Sequence, residues 1–283
     1  MSSDILQGKT LVITGANSGI GYVAAASLAG MGAHVVLACR RQDAAEQAMR
    51  DIRLQHPQAS LEFVHLDLAS LDSVRHAAHV LSQRHPRLDV LINNAGLAQI
   101  GRSLSADGYE LTFAVNHLGP FLLTQLLMPS LKAARGRVIN VASGAHKAGK
   151  MHWQDLQFEK GYFVWKAYAQ SKLANILFTR ALAKRCAGTG VHANCLHPGG
   201  VATNIWPDRN WLQRMLSNLL KRFLISPEQG ARTTIWLASN EVGGRATGKY
   251  YVRCKERAPS AEAQDDVAAE RLWKLSEKMV GLN

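Results

Sequence analysis

Seven short apolar runs, separated by stretches of helical character, set the strongest limit on how this chain can fold. The runs occupy residues 10–14, 34–39, 61–66, 90–93, 137–142, 191–196 and 249–252. They are continuous rather than alternating, so each needs cover on both faces, as strands of a parallel sheet do. The stretches at 21–30, 43–55, 71–84, 108–132, 168–186 and 227–239 have the composition and spacing of helices. Right-handed crossovers then predict an α/β doubly wound parallel sheet, a Rossmann fold. No linker, repeat or low-complexity segment interrupts the 283 residues, so one domain over 1–283 is expected.

The turn after the first run is the next constraint. Gly15, Gly19 and Gly21, with Asn17, Ser18 and Ile20 among them, lie between a strand and a helix. A tight glycine turn there lets backbone N–H groups and a helix N-terminus face a pyrophosphate. The spacing G-x-x-x-G-x-G differs from the commoner G-x-G-x-x-G, and a plain strand–helix turn is the alternative. The second run ends in Cys39-Arg40-Arg41 with no carboxylate before Asp43. A guanidinium matches a phosphate better than a ribose hydroxyl, which favours the 2′-phosphate of NADP(H) over NAD. Asp67-Leu68 ends the third run, where a carboxylate can accept from an adenine amino group, and Asn94-Ala95-Gly96 ends the fourth, where small residues admit a ribose. All sit at carboxyl ends of strands, where such sheets bind ligands.

Reaction chemistry concentrates at Tyr168 and Lys172. Four apart on a helix, they share a face. A phenol titrates near 10, and an adjacent ammonium favours its ionised form. Asn116, inside the stretch 108–132, and Ser143, ending the fifth run, are polar groups that can join them. Pro198, Val201 and Thr203 follow the sixth run in HPGGVAT.

The set TGxxxGIG (14–21), NNAG (93–96), Asn116, Ser143, YxxxK (168–172) and PG…T (198–203) resembles the short-chain dehydrogenase/reductase family over nearly the whole chain. ACR (38–40), LINNAG (91–96), VNHLG (115–119), SKLANILF (171–178) and HPGGV (197–201) are similar to its retinol dehydrogenase-like branch, mostly NADP-dependent. The resemblance implies that Tyr168 exchanges the proton of the alcohol or carbonyl. Lys172 then lowers the tyrosine pKa and holds the nicotinamide ribose, and Ser143 orients the substrate oxygen. Asn116 holds a relay water, Asn94, Ala95 and Gly96 meet the ribose, and Val201 and Thr203 meet the nicotinamide half. Gly200 and Pro120 depart from the side chains common at their positions. A non-catalytic NADP-binding regulator or scaffold of the same fold is the rival, and the joint retention of Ser143, Tyr168 and Lys172 argues against it.

Aromatic residues before Tyr168 (Trp153, Phe158, Tyr162, Phe163, Trp165) and the amphipathic stretch 211–224 predict apolar walls for a retinoid-, steroid- or long-chain-carbonyl-like substrate. Residues 199–228 are expected to form a helical lid, with core packing, a homo-oligomer contact or peripheral membrane contact through 211–224 left open. The net charge of +12 is dispersed, without an aromatic-interleaved basic tract, so no nucleic-acid partner is expected. Four scattered cysteines, no Cys/His ligand spacing, no signal-peptide core in residues 1–10 and no apolar span predict a cytoplasmic protein without a metal.

Overall fold

A computed structural model describes residues 5–200 and 225–282. The strands are β1 (Thr10–Thr14), β2 (His34–Cys39), β3 (Ser60–His65), β4 (Val90–Asn93), β5 (Arg137–Val141), β6 (His192–His197), β7 (Tyr250–Val252) and β8 (Lys255–Arg257). They form one sheet in the order β3-β2-β1-β4-β5-β6-β7-β8. All neighbours are parallel except β7–β8. The chain starts at β1, winds outward to β3, then crosses back to β4 beside β1, which opens a crevice at the carboxyl ends of β1 and β4.

Side chains alternate between two cores. Val12, Val36, Leu91 and Val138 face one, whereas Leu11, Ile13, Val35, Leu37, Ile92 and Ile139 face the other. Helices α1 (Gly19–Ala29) and α2 (Gln42–Gln55) cover the second core. On the first lie α3 (Leu71–Arg84), α4 (Leu111–Phe113), α5 (Gly119–Leu126), α6 (Met128–Ala134) and α7 (Val164–Arg185). Helix α8 (Pro227–Ser239) packs on α1, and α9 (Asp266–Val280) packs on α7. The continuous runs thus became strands because both faces had helices to meet.

Three differences from the sequence expectation have local causes. The single helix expected over 108–132 is broken into α4, a π-helical turn at Ala114–Leu118, α5 and α6. Pro120 and Pro129, at the first turns of α5 and α6, have no N–H for the carbonyl four residues back, which removes the ladder at those points. Strand β8 is antiparallel and was not expected; it follows a turn in which Arg253 and Cys254 both adopt positive φ (52° and 59°). Helix α7 begins at Val164, four residues before Tyr168. Among the described residues no single helix is long and apolar enough to cross a membrane.

The π turn buries His117 among Phe113, Phe121 and Phe178. Ser276 donates its hydroxyl to Leu272 O at 2.8 Å, so His117 Nε2, 2.8 Å from Ser276 Oγ, donates to that hydroxyl oxygen. Burial depresses the imidazole pKa to about 3 from its ordinary 6.5. The unfolded chain therefore binds one more proton than the folded chain between those values. Its contribution is fully present above pH 6.5 and is lost as pH falls towards 3, at about 1.4 kcal/mol per pH unit. Burial lowers His146, His192 and His197 as well, so urea midpoints measured from pH 7.5 to 5 should fall at least this steeply, and His117→Gln should reduce the slope by close to one proton towards pH 5; an unchanged slope would place the proton uptake elsewhere.

Candidate active site

The crevice is a cleft of about 590 Å³. It begins at the turn between β1 and α1. Gly15 and Gly19 adopt φ of +65° and +54°, a region that side chains with a Cβ rarely enter. A Cβ on Gly21 would lie 2.3 Å from Gly15 O, so only glycine lets α1 start against the turn. The N-cap Ser18 makes no side-chain capping bond and the first turn holds no acid. The backbone N–H groups there, with the positive end of the helix, suit an anion in the cleft. Thr14 braces the turn against the end of β4. Its Oγ1 accepts from the N–H of Asn94 and of Ala95, both at 3.0 Å, while Asn94 Nδ2 donates to Thr14 O at 2.9 Å.

Of the residues singled out in the sequence, Gly15, Asn17, Ser18, Gly19, Ile20, Gly21, Arg40, Asp67, Leu68, Asn94, Ala95, Gly96, Ser143, Tyr168, Lys172 and Pro198 line this cleft. Arg41 does not; its guanidinium is turned onto Asp43, 2.6 Å away, in an exposed pair. Asp67 Oδ1 accepts from Ala69 N at 2.9 Å, which holds the carboxylate at the end of β3. Leu68 comes close because Gly119 lacks a Cβ, which would stand 2.8 Å from Leu68 O. Val201, Thr203, the lid expected within 199–228 and the stretch 211–224 fall wholly or mainly outside the described residues.

At the deep end, α7 carries Tyr168 and Lys172 on one face, and Ser143 comes from the end of β5. The lysine Nζ lies 5.7 Å from the tyrosine ring centroid and donates to Val141 O at 3.0 Å. Burial draws its pKa down to about 8. For Tyr168 the larger effect is also burial, which raises the phenol above 10, opposed by a hydrogen bond with Ser143. The expectation that Lys172 lowers the phenol is therefore not what dominates here: the side chain is only 7% exposed, and desolvation of a phenolate outweighs its neighbours. A neutral phenol at pH 7 is a proton donor held in place.

Asn116 is buried in the π turn and stands apart from the cleft lining. Its Oδ1 accepts from Leu97 N (2.8 Å), and its Nδ2 donates to Leu97 O (2.9 Å) and Ser171 Oγ (2.9 Å). The amide thus fixes the backbone after Gly96, whose Cβ would meet both Asn116 Oδ1 and Lys172 Nζ at 3.2 Å.

Two histidines that the sequence reading left without a role support the Ser143 loop. His146 Nδ1 lies 2.6 Å from Ser143 O, and its Nε2 accepts from Ser260 N at 3.2 Å. His197 Nδ1 accepts from Gly144 N (3.0 Å) and from Gly199 N (3.3 Å), joining that loop to the Pro198-Gly199 turn. Burial lowers the pKa of both, which keeps the acceptor nitrogens neutral. A buried ladder, Asn93 to Asn140 (2.8 Å) to Thr179 (2.9 Å), ties β4, β5 and α7 beneath the site. HPGG and NNAG mark these positions in the sequence, but only the fold shows what they touch.

Comparisons with known proteins point to one family. A family model described as short chain dehydrogenase matches residues 9–212. Retinol dehydrogenase 14 of Mus musculus is 44% identical over 98% of this chain and 87% of its own length. The human dehydrogenase/reductase SDR family member 13 is 43% identical over 98% of this chain and 74% of its own. Among solved structures, an uncharacterized protein from Mycobacterium paratuberculosis superposes with a TM-score of 0.81 at 36% identity, covering 97% of this chain and 94% of the other. A short chain dehydrogenase from Escherichia coli complexed with NADPH gives 0.71 at 25% identity, with 90% and 100% covered. The family works with NAD(P) cofactors, and the glycine turn, open helix N-terminus and small residues at the end of β4 fit one. The chain belongs to the short-chain dehydrogenase/reductase family, in its retinol dehydrogenase-like branch, and is an oxidoreductase acting on CH–OH groups.

Proposed function

We propose that this protein interconverts an apolar alcohol and its aldehyde or ketone with NADP(H), and that Tyr168 handles the proton. The observation that carries the reading is the convergence of Tyr168, Lys172 and Ser143 in the same cleft that Arg40 lines at its other end. The glycine turn and the N-terminus of α1 would hold the pyrophosphate, Arg40 the 2′-phosphate, Asp67 and Leu68 the adenine side, and Asn94, Ala95, Gly96 and Lys172 the ribose. When bound, the cofactor supplies or accepts the hydride. Ser143 positions the substrate oxygen, and Tyr168 donates to it in reduction or accepts from its alcohol in oxidation. Lys172, with a pKa near 8, is mostly an ammonium at pH 7 and favours the phenolate that remains after donation. Asn116 positions the Gly96–Leu97 backbone and, with Pro120 lacking an N–H, leaves its own carbonyl without the usual donor four residues on.

An apolar substrate is supported by Phe163 and Trp165, each 54% exposed at the start of α7, one turn before Tyr168. Relatives named retinol dehydrogenase make a polyene aldehyde the first candidate. Buried free thiols at Cys39, Cys186 and Cys195 support a reducing, cytoplasmic setting. The test is consumption of NADPH and of NADH with a panel running from small aldehydes to retinal. Turnover should favour NADPH and the apolar members. Arg40→Ala should weaken NADPH by about 1–3 kcal/mol and NADH hardly at all. An unchanged NADPH/NADH ratio in that variant would show that the phosphate is read by other residues.

A further inference from the structure

A cluster of ligand-type side chains lies at the other end of the strands from the cleft. His34 is the first residue of β2, Glu62 lies on β3, and His85 follows the last turn of α3. His34 and Val36 are register partners of Ser60 and Glu62, which puts both groups on neighbouring strands at the amino-terminal edge. One carboxylate oxygen, Glu62 Oε2, lies 2.8 Å from His85 Nε2 and 3.3 Å from His34 Nε2. All three donor atoms fall within 4.8 Å of one another. The side chains are partly buried, at 29%, 20% and 15% exposure for His34, Glu62 and His85.

We propose that His34, Glu62 and His85 form a binding site for a divalent transition-metal ion of the zinc type. Two imidazoles and a carboxylate are a ligand set such ions take, with water completing four-coordination. Bonds of about 2.0–2.2 Å in a tetrahedron place neighbouring donors roughly 3.3 Å apart. The Glu62–His34 edge already has that length, and the Glu62–His85 edge needs to open by about half an ångström. His85 is the C-cap of α3, with its N–H still bonded to Leu81 O at 2.8 Å, so the shift falls to its side-chain torsions. The outer partners are in place as well. His34 Nδ1 lies 2.7 Å from Ser60 Oγ, which can accept the ring proton once Nε2 binds a metal. Arg84 Nη1 holds Glu62 Oε1 at 2.6 Å, which turns the other oxygen, Oε2, towards the two imidazoles.

Without a metal the same groups form an ion-pair cluster around Glu62: burial alone would raise its carboxyl, and Arg84, His85 and His34 together bring it below its ordinary value. The two readings differ in what zinc does. Because the site joins β2, β3 and α3 away from the cleft, bound metal would secure that edge of the sheet and leave turnover unchanged. No sequence motif announces it, since the ligands are separated by 28 and 23 positions and meet only across the fold.

The test is calorimetric titration of Zn2+ alone onto the full chain after chelator treatment, with melting followed in parallel. One site per chain is expected, together with a rise in Tm of roughly 4–8 °C at a hundredfold excess over Kd. His34→Ala and His85→Ala should each weaken that site by at least about tenfold and remove the thermal shift. His85→Gln, which keeps a donor for Glu62, guards against a variant that fails to fold, and should lose zinc binding in the same way. Absence of a zinc-induced shift in the wild type, or equal affinity in wild type and both histidine variants, would overturn the proposal.

Discussion

Tyr168→Phe should lose about 10²–10⁴-fold in kcat, equivalent to roughly 3–5 kcal/mol of barrier. The substitution keeps the ring, which is buried on α7, and removes only the hydroxyl that meets Ser143. Ser143 Oγ still accepts from Ala145 N at 3.2 Å, so the loop keeps its own support. The cofactor contacts assigned to the glycine turn, Arg40 and Lys172 are untouched. NADPH affinity, read by fluorescence quenching, should therefore stay within a few-fold of wild type, and the melting temperature should move little. A fall in kcat with unchanged affinity is the signature of an interaction made in the transition state. Near-normal turnover in the variant would sink the assignment of the proton to Tyr168. If affinity and turnover collapsed together, the hydroxyl would be holding the cofactor rather than moving the proton.

How far such a site can be read before the fold is known depends on how local its determinants are. Glycine placement, the Tyr–Lys spacing and continuous apolar runs are local, and each was legible. The turn geometry of Gly15 and Gly19 and the shared face of Tyr168 and Lys172 follow from backbone rules alone. Other features depend on contacts between distant segments. Asn116 looks like one more helical asparagine until the π turn places its amide on Leu97, nineteen residues earlier. The phenol of Tyr168 illustrates a competition that spacing cannot resolve: Lys172 is near it, yet burial decides the direction of the shift. Arg40 and Arg41 are adjacent and alike in sequence, but only Arg40 lines the cleft, because Asp43 is within reach of Arg41. Strand β8 follows a positive-φ turn built from Arg253 and Cys254, without the glycine or asparagine that usually marks one. The sequence reading has no helix over α9, although its signals are local: Asp265 caps its first turn, apolar residues recur at helical spacing and Gly281 ends it in the left-handed region.

That helix carries the second large effect. Trp273→Ala should destabilise the protein by about 3–5 kcal/mol, the range for emptying a buried indole site. The indole is 4% exposed. It meets the Phe121 ring edge-on, with centroids 5.0 Å apart, and lies 5.9 Å from that of Phe178. Arg185 stacks over the ring, with Cζ 4.1 Å from the centroid, and Nε1 donates to Glu277 Oε1 at 2.6 Å. Alanine removes every one of these contacts and leaves a void between α5, α7 and α9 that close-packed neighbours refill only in part. A melting temperature lower by roughly 6–15 °C is expected for a chain of this size. The cavity lies beyond the turn of α7 that carries Tyr168 and Lys172: Phe178 and Arg185 are six and thirteen residues past Lys172. Turnover at a temperature where the variant is still folded should therefore remain close to wild type. Trp273→Phe, which keeps an aromatic ring against Phe121 and gives up the bond to Glu277, should recover part of the loss. A melting temperature unchanged by Trp273→Ala would mean that α9 is not required to hold α7 in place. Loss of turnover in the folded variant would mean that α9 acts on Tyr168 and Lys172 through the length of the helix.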